Sequence, residues 1–242
     1  MFALLLAEAA LELVPQLIWS HPAVAKHASR LGLHPSQLLL DRSFHHSAMR
    51  GLPEAAKRGR PDLVHFALLA ATDAPLFRMN EVEVYLHTWQ HRVLEFTPGV
   101  RLPRTSVRFD GLIRQLLATS MQGDEASSLV RVRGGDVQSV VRAFAPDLVI
   151  GLSTLGKPSS PAEVAGRLLV RERSMLVVGA FPHGHFARST ANVFDQLLAI
   201  HPLGLETHLV VARVLYEAEK KLAERSKSRA SKLPTKIQQQ AP

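Results

Sequence analysis

The feature that most constrains the fold of this chain is the alternation of short apolar runs with longer segments of helical spacing. The apolar runs have the length of buried strands and lie at residues 2–7, 130–132, 147–152 and 175–179. Apolar residues recur about every three to four positions elsewhere, which predicts helices at 22–31, 109–119, 137–144, 161–169 and 209–222. Such alternation is typical of an α/β fold with a largely parallel sheet.

Other segments have weaker patterns. These patterns predict a helix at 11–18, a helix at 44–52 capped by Ser43, a strand leading into the apolar run after Arg60, and a hairpin of strands at 82–88 and 93–96. Residues 130–152 together predict one strand–helix–strand unit. The Ser-, Lys- and Gln-rich sequence after about Leu222 predicts a disordered C-terminal tail.

The positive charge of the chain is confined to three blocks. The 242 residues include 29 Lys and Arg against 21 Asp and Glu, which gives a net charge of +8. Residues 218–242 carry +5, residues 42–60 carry +4 and residues 101–114 carry +3, so the remainder is net negative at −4. This distribution excludes an acidic solvating protein and favours a polyanionic partner.

Cysteine content and hydropathy predict a cytoplasmic protein without a membrane partner. The chain has no cysteine, which excludes disulfides, a thiolate nucleophile and cysteine-ligated metals. Glu8 and Glu12 interrupt the apolar N-terminus too early for a signal peptide. We also expect no membrane span, since every apolar run is shorter than the roughly 18 residues that a span needs.

Two arginine-containing segments are candidates for binding an anion. Arg101, Arg104 and Arg108 lie in an extended, proline-containing approach to a helix N-terminus, where an anion is favoured and unneutralised arginines are not. The alternative is a solvated basic loop. Arg60 and Asp62 flank Pro61, and Asp62 could hold Arg60 rigid through a bidentate pair. The alternative there is an ordinary surface ion pair.

Two loops in the C-terminal half are candidates for a ligand pocket. Gly179 and Gly184 follow a predicted strand and allow close approach of a ligand to the backbone. The spacing fits neither a Rossmann fingerprint nor a Walker A motif. Residues 197–207 form an apolar stretch broken by Pro202 and Gly204, which could line an adenine pocket or be a buried loop. We predict no metal site, because no acidic residue near the histidine pairs 87/91 and 183/185 supplies a third ligand.

Several of these segments occur in an order that resembles a known family. In sequence order they are AEAALELVP from Ala7, LDRSFHHSAM from Leu40, RPDLVH from Arg60, RLPRTSVRFDGL from Arg101, GAFPHG from Gly179 and HPL from His201. Together they resemble the ribosome-biogenesis methyltransferases that act on pseudouridine N1 in small-subunit rRNA. These enzymes belong to the SPOUT superfamily, and the archaeal members are the most similar. The resemblance covers about residues 3–217.

The resemblance implies a SPOUT-type parallel sheet with a C-terminal trefoil knot, a homodimer and bound S-adenosyl-L-methionine. It implies one methyltransferase domain at 1–217, with a β-hairpin insertion at about 82–97, followed at 218–242 by the end of the last helix and the basic tail. The partners it implies are small-subunit rRNA, a second copy of the chain and other ribosome assembly factors. Many members have Tyr in place of His201, and Ser-Ala in place of Gly204-Leu205.

The resemblance also assigns site residues by position. Arg60, Arg101, Arg104 and Arg108 match RNA-contacting arginines, and Asp62 is the candidate catalytic residue, for proton handling or for orienting the base. The positions that match the cofactor loops are Leu152, Gly179, Gly184, Leu198, Ala199, Ile200, His201, Pro202 and Leu203. Two alternatives remain open: an rRNA-binding assembly factor with secondary or no methyltransferase activity, and a SPOUT enzyme with another target base.

Overall fold

A seven-stranded sheet organises the computed structural model, which describes residues 1–119 and 129–231. Its strands are β1 (Phe2–Ala9), β2 (Val82–Thr88), β3 (Arg92–Phe96), β4 (Val130–Gly134), β5 (Leu148–Pro158), β6 (Ser174–Gly179) and β7 (Gln196–Ala199). They lie in the order β4-β3-β2-β1-β6-β5-β7. Five neighbouring strands are parallel, namely β2, β1, β6, β5 and β7, whereas β3 and β4 are added antiparallel at the edge next to β2. The α/β fold with a largely parallel sheet is confirmed.

Nine α-helices occur within the described ranges. They are α1 (Pro22–Leu31), α2 (Arg42–His45), α3 (Pro61–Thr72), α4 (Pro75–Arg78), α5 (Ser106–Thr119), α6 (Val137–Phe144), α7 (Pro161–Val170), α8 (Arg188–Ala191) and α9 (Thr207–Ser231). The main core lies between one sheet face and α3, α5, α7 and α9, while α6 covers the opposite face. Because β1 is covered on both faces, it is apolar almost throughout rather than alternating.

The hairpin of β2 and β3 is confirmed, and it lies within the main sheet because β2 also pairs in parallel with β1. The predicted unit across 130–152 is different in the structure. Its strands β4 and β5 are separated by four others, so α6 carries the chain from one part of the sheet to another. The carboxyl ends of β5, β6 and β7 meet at one edge of the sheet, where ligands bind in open α/β folds.

Three local predictions in the N-terminal half are wrong. The segment after Arg60 is the helix α3, because Pro61 suits the first helical position and the following apolar residues face the core at helical spacing. Residues 11–18 contain only a 3₁₀ turn at Gln16–Ile18, and Leu13 pairs with Leu39 instead. The helix predicted at 44–52 is instead the short α2 and a 3₁₀ turn at Ala48–Gly51, and the cap of α2 is Asp41 rather than Ser43, since the Asp41 carboxylate accepts the Ser43 N–H.

The last helix is longer than predicted. It continues to Ser231, so the expectation of disorder from about Leu222 is wrong for residues 223–231. Residues 232–242 lie outside the described residues. Within the part of the chain that is described, no helix has both the length and the hydropathy to cross a bilayer.

Candidate active site

A cavity of about 300 Å³ opens at the carboxyl ends of β5, β6 and β7. Its walls come from residues 152–154, from the loop at 178–186 and from the segment 199–210. Leu152, Val178, Ile200, Leu205 and Val210 supply apolar surface, and Ser153, Thr154 and Thr207 supply hydroxyl groups. The lining therefore suits a ligand with one apolar and one polar part.

The structure brings most of the predicted cofactor residues to this cavity. The predicted residues that line it are Leu152, Gly179, Gly184, Ala199, Ile200, His201 and Leu203. Leu198 and Pro202 are not among the lining residues. The Leu198 side chain is buried in the core, and its main chain packs against β5. Two intramolecular hydrogen bonds fix the rim, because Thr207 Oγ1 donates to the Gly179 carbonyl (2.9 Å) and the Leu203 N–H donates to His201 Nδ1 (3.1 Å).

Glycine is required at positions where the backbone of this site is crowded. A Cβ at Gly179 would lie 2.8 Å from the ring of Phe181, and Gly184 has a φ of +89°. The tightest contact is at Gly156, where a Cβ would lie 2.4 Å from the carbonyl carbon of Leu198. Sequence analysis did not single out Gly156, because no local sequence pattern indicates that β7 packs against it.

Arg60 and Asp62 form a bidentate pair at the start of α3, as the sequence predicted. Arg60 Nε donates to Asp62 Oδ1 at 2.8 Å, and the guanidinium Nη2 donates to Oδ2 at 2.9 Å. Burial raises the pKa of Asp62, but the hydrogen bonds and charge of Arg60 outweigh this effect and hold the pKa below its ordinary value. Asp62 is therefore a poor proton acceptor and well suited to orient Arg60.

The backbone connects Arg60 directly to the cavity. The Arg60 N–H donates to the Ala10 carbonyl at 3.0 Å, and the Ala10 N–H donates to the Ala180 carbonyl at 2.8 Å. Ala180 immediately follows Gly179 of the cavity wall. The hydrogen bond to Asp62 raises the pKa of Arg60, and the charge of Glu206, which directly precedes α9, raises it further. Two backbone hydrogen bonds thus join the start of α3, which carries the Arg60–Asp62 pair, to the cavity wall.

The segment with Arg101, Arg104 and Arg108 is anchored on α3 and presents its arginines to solvent. His65 Nε2 donates to the Pro103 carbonyl at 2.7 Å, and the His65 ring stacks on Phe109 with centroids 4.1 Å apart. All three arginines are exposed. Arg104 Nη1 lies 2.8 Å from Asp73 Oδ2, so its guanidinium is partly positioned before any ligand binds.

A model of the family described as EMG1/NEP1 methyltransferase matches residues 4–219. The chain belongs to this family. The chain is 37% identical over 217 residues to the Ribosomal RNA small subunit methyltransferase Nep1 of Aeropyrum pernix, covering 88% of this chain and 95% of that one. It is 38% identical over 219 residues to the protein of the same name from Pyrobaculum neutrophilum, covering 89% and 96%.

A solved structure of an EMG1/NEP1-type protein has the same fold. Nep1 of Archaeoglobus fulgidus, crystallised with S-adenosylhomocysteine, superposes with a TM-score of 0.78 at 33% sequence identity. The match covers 92% of this chain and 98% of that chain. The similarity therefore extends over nearly the whole of both proteins.

In this EMG1/NEP1 family member, Asp110 is a titratable group with a shifted pKa, which sequence analysis did not single out. It lies half-buried in α5, two residues after Arg108. Burial, with the negative charges of Asp41 and Asp62, raises the pKa of Asp110 to about 6 against the opposing charge of Arg114. The carboxyl group therefore titrates near pH 6.

We expect Asp110→Asn to stabilise the protein at about pH 8 and to leave its stability nearly unchanged at about pH 4. The raised pKa means that ionisation of Asp110 opposes folding. The neutral Asp110 carboxyl group contributes its full stability below the ordinary pKa of about 3.9, and this stability is lost as pH rises through about 6. Asparagine does not ionise and avoids that loss. Thermal unfolding of both proteins at the two pH values measures this, and an equal Tm difference at both would contradict it.

The two histidine pairs are placed differently. His87 Nε2 and His91 Nδ1 lie 3.3 Å apart, and His183 and His185 both line the cavity. Throughout residues 1–119 and 129–231, no group of three or more His, Asp or Glu side chains is placed to hold a metal ion.

Proposed function

We propose that the protein is an S-adenosyl-L-methionine-dependent methyltransferase that methylates N1 of a pseudouridine in a loop of small-subunit rRNA. The single observation that carries the proposal is the two-hydrogen-bond connection from Arg60 through Ala10 to Ala180 at the cavity wall. It joins a surface suited to phosphate to a cavity suited to the cofactor. Family membership and the S-adenosylhomocysteine bound by the Archaeoglobus relative support the same assignment.

The cavity residues fit this cofactor. Leu152, Ile200 and Leu205 offer an apolar surface to an adenine ring, and Ser153 and Thr154 offer hydroxyl groups to the polar part of the molecule. Gly179 and Gly184 keep the floor of the cavity free of side chains. When bound, the cofactor would supply a sulfonium methyl group, and the loops at 178–186 and 199–205 would hold it in the cavity.

The proposed substrate follows from the chemistry of the base. Pseudouridine has an N1–H that uridine lacks, because the sugar of uridine occupies N1. Arg60, Arg101, Arg104 and Arg108 would hold the phosphates of a splayed RNA loop, since guanidinium groups suit phosphate geometry. We assign Asp62 the role of orienting Arg60 rather than of accepting the N1 proton, because its pKa is lowered. Holding the two reactants in line is then the main contribution of the protein.

We also propose the trefoil knot and the homodimer that the resemblance implies, and the cytoplasmic location that the sequence predicts. Leu198 lies opposite both Leu152 and Lys157 of β5, which supports a chain crossing around Gly156. Exposed apolar side chains on α3 and α9 support burial against a second copy; they are Phe66, Leu209 and Tyr216. Sedimentation equilibrium tests the dimer, and a monomer at micromolar concentration would contradict it. The proposed substrate supports the cytoplasmic location, since rRNA is assembled into ribosomal subunits inside the cell.

One experiment tests the reaction and its target together. The protein is incubated with methyl-labelled S-adenosyl-L-methionine and two versions of one rRNA hairpin, which carry uridine or pseudouridine at the same position. We expect methylation of the pseudouridine version only, at N1, located by mass mapping. Methylation of the uridine version, or at another atom, would indicate a SPOUT enzyme with a different target base.

The alternative of an assembly factor without methyltransferase activity uses the same arginines but does not require the cavity to bind the cofactor. Calorimetric titration with S-adenosylhomocysteine distinguishes the two. We expect saturable binding with one site per chain. Absence of binding, combined with tight RNA binding, would favour the assembly factor.

We expect Arg104→Ala to weaken RNA binding. The slope of log affinity against log salt concentration should fall by the amount that corresponds to about one phosphate contact. The Arg104 side chain is 72% exposed, so its loss removes charge without disturbing the core. Arg78→Ala is the matched control, because Arg78 also lies near Asp73 (3.5 Å) but outside the arginine motif. An unchanged salt slope for Arg104→Ala, or an equal change for both variants, would contradict the assignment.

A further inference from the structure

A buried ion pair lies behind the loop that forms one wall of the cofactor cavity. Lys57 Nζ is 3.2 Å from Glu8 Oε2, and both side chains are at least nine-tenths buried. Lys57 Nζ also lies 3.6 Å from Glu54 Oε2 near the surface. The pair faces a second cavity of about 640 Å³, which shares Gly184, His185 and Phe186 with the cofactor cavity.

Three contacts join this pair to the 181–187 loop. The second carboxylate oxygen of Glu8 accepts the Ala187 N–H at 2.8 Å. The Lys57 ammonium lies 4.9 Å from the centroid of the Phe181 ring, within cation–π range. Gly184 packs against the Lys57 stem, since a Cβ at Gly184 would lie 3.2 Å from Lys57 Cε. The pair thus contacts the beginning, the middle and the end of the loop.

The backbone around Glu8 is distorted where these contacts are made. Glu8 has a φ of +53°, in the left-handed region that a residue with a side chain rarely adopts. The register between β1 and β2 shifts between Leu6 and Ala9, around this residue. The Glu8 N–H, turned out of the regular ladder, donates to Nδ1 of the buried His87 at 3.3 Å. Strained backbone of this kind persists at functional sites.

We propose that Glu8 and Lys57 are positioning residues that hold the 181–187 loop in the conformation that binds the cofactor. Phe181 lines the cofactor cavity, and its ring also contacts the Lys57 ammonium. Holding the ring therefore fixes the cavity wall before the cofactor arrives, which reduces the ordering required on binding. The inference rests on the proposed cofactor and adds two residues that act on it from outside the cavity.

A neighbouring ion pair provides an internal control. Glu12 and Arg58 are also buried, and Arg58 donates to both Glu12 carboxylate oxygens at 2.7 Å. Arg58 additionally donates to the Pro53 carbonyl and lies over the ring of Trp89. Within the described residues, no hydrogen bond, ion pair or ring contact joins Glu12 or Arg58 to the 181–187 loop. The two pairs thus resemble each other in burial and charge but differ in what they hold.

The test compares two double variants, Glu8→Gln/Lys57→Met and Glu12→Gln/Arg58→Met. Each removes both charges of a pair, so that no buried charge is left uncompensated. For Glu8→Gln/Lys57→Met we expect the Kd for S-adenosylhomocysteine to rise about tenfold or more, with unchanged RNA affinity. For the control we expect a Kd within about twofold of the unmodified protein, whatever its change in Tm.

Hydrogen exchange without any ligand gives a second readout. Backbone amides of residues 181–187 should exchange faster in Glu8→Gln/Lys57→Met and not in the control. Lys57→Arg, which keeps the charge, should retain most of the cofactor affinity. Equal Kd changes in both double variants, or unchanged exchange of the loop, would overturn the inference. Failure of the unmodified protein to bind S-adenosylhomocysteine would instead overturn the proposed function. Hydrogen exchange would still test whether Glu8 and Lys57 hold the loop.

Discussion

Substituting Gly156 by alanine is expected to abolish saturable binding of S-adenosylhomocysteine and to destabilise the protein. The new Cβ would lie 2.4 to 2.6 Å from the carbonyl carbon, nitrogen and Cα of Leu198. All three are backbone atoms, so no side-chain rotation relieves the clash and β5 must separate from β7. The pairs Lys157–Leu198 and Pro158–Ala199 are then lost, together with the position of the adjoining cavity wall.

The expected size follows from overpacking at a rigid contact. We expect a loss of about 3 kcal/mol in the free energy of unfolding, which lowers Tm by roughly 10 °C in a chain of this length. Gly166→Ala is the control, because Gly166 lies inside α7 and its added Cβ would meet only Lys221, at 3.7 Å. That variant should be slightly stabilised and bind normally. Thermal unfolding and calorimetry measure both, and a Gly156→Ala protein with unaltered Tm and Kd would contradict the assignment.

Gly156 also illustrates why part of the site could not be read from the sequence. Alternating apolar runs and helices predict the parallel sheet, because each strand and helix leaves a local pattern. The approach of Leu198 to Gly156 joins residues 42 positions apart and leaves no local pattern at either. Only the path of the chain between β5 and β7 creates the contact. The resemblance supplied the residues near 198–203 but not the strand against which they pack.

Errors in the local predictions have a similar origin. A short apolar run such as that after Arg60 fits both a buried strand and a buried helix, and its burial on α3 removes the polar face that would decide between them. Residues 11–18 have helical spacing, but the pairing of Leu13 with Leu39 holds the first part of the segment extended and leaves only a 3₁₀ turn at Gln16–Ile18. The bidentate pairing of Arg60 with Asp62 was predictable, because it depends on two residues that flank one proline.

That pairing leads to the second large effect. Asp62→Ala is expected to reduce kcat/KM for the pseudouridine hairpin by about 100-fold, because a displaced Arg60 no longer aligns the substrate with the cofactor. Asp73→Ala is the matched control: Asp73 also holds an arginine of the motif, Arg104, but the Arg104 side chain is 72% exposed whereas that of Arg60 is 35% exposed. We expect that variant to lose only a few-fold in kcat/KM. Single-turnover methyl transfer with saturating cofactor measures both.

The pH profile separates orientation from proton transfer. The pKa of Asp62 is lowered, so the carboxylate is ionised throughout the neutral range and contributes no limb to the activity profile there. The Asp62→Ala variant should therefore show lower activity with an unchanged pH dependence between about pH 6 and pH 9. Loss of the acidic limb in the variant, which is the fall in activity toward low pH, would instead identify Asp62 as the proton acceptor.

A double-mutant cycle decides whether Asp62 acts through Arg60. If the carboxylate serves only to hold the guanidinium, then Arg60→Ala already removes everything that Asp62 contributes. The double variant Arg60→Ala/Asp62→Ala should therefore be no slower than Arg60→Ala alone. A double variant slower by the product of the two single effects would show that Asp62 acts on the substrate independently. In that case the reaction would require the half-buried Asp62 carboxylate itself and not only the orientation that it gives to Arg60.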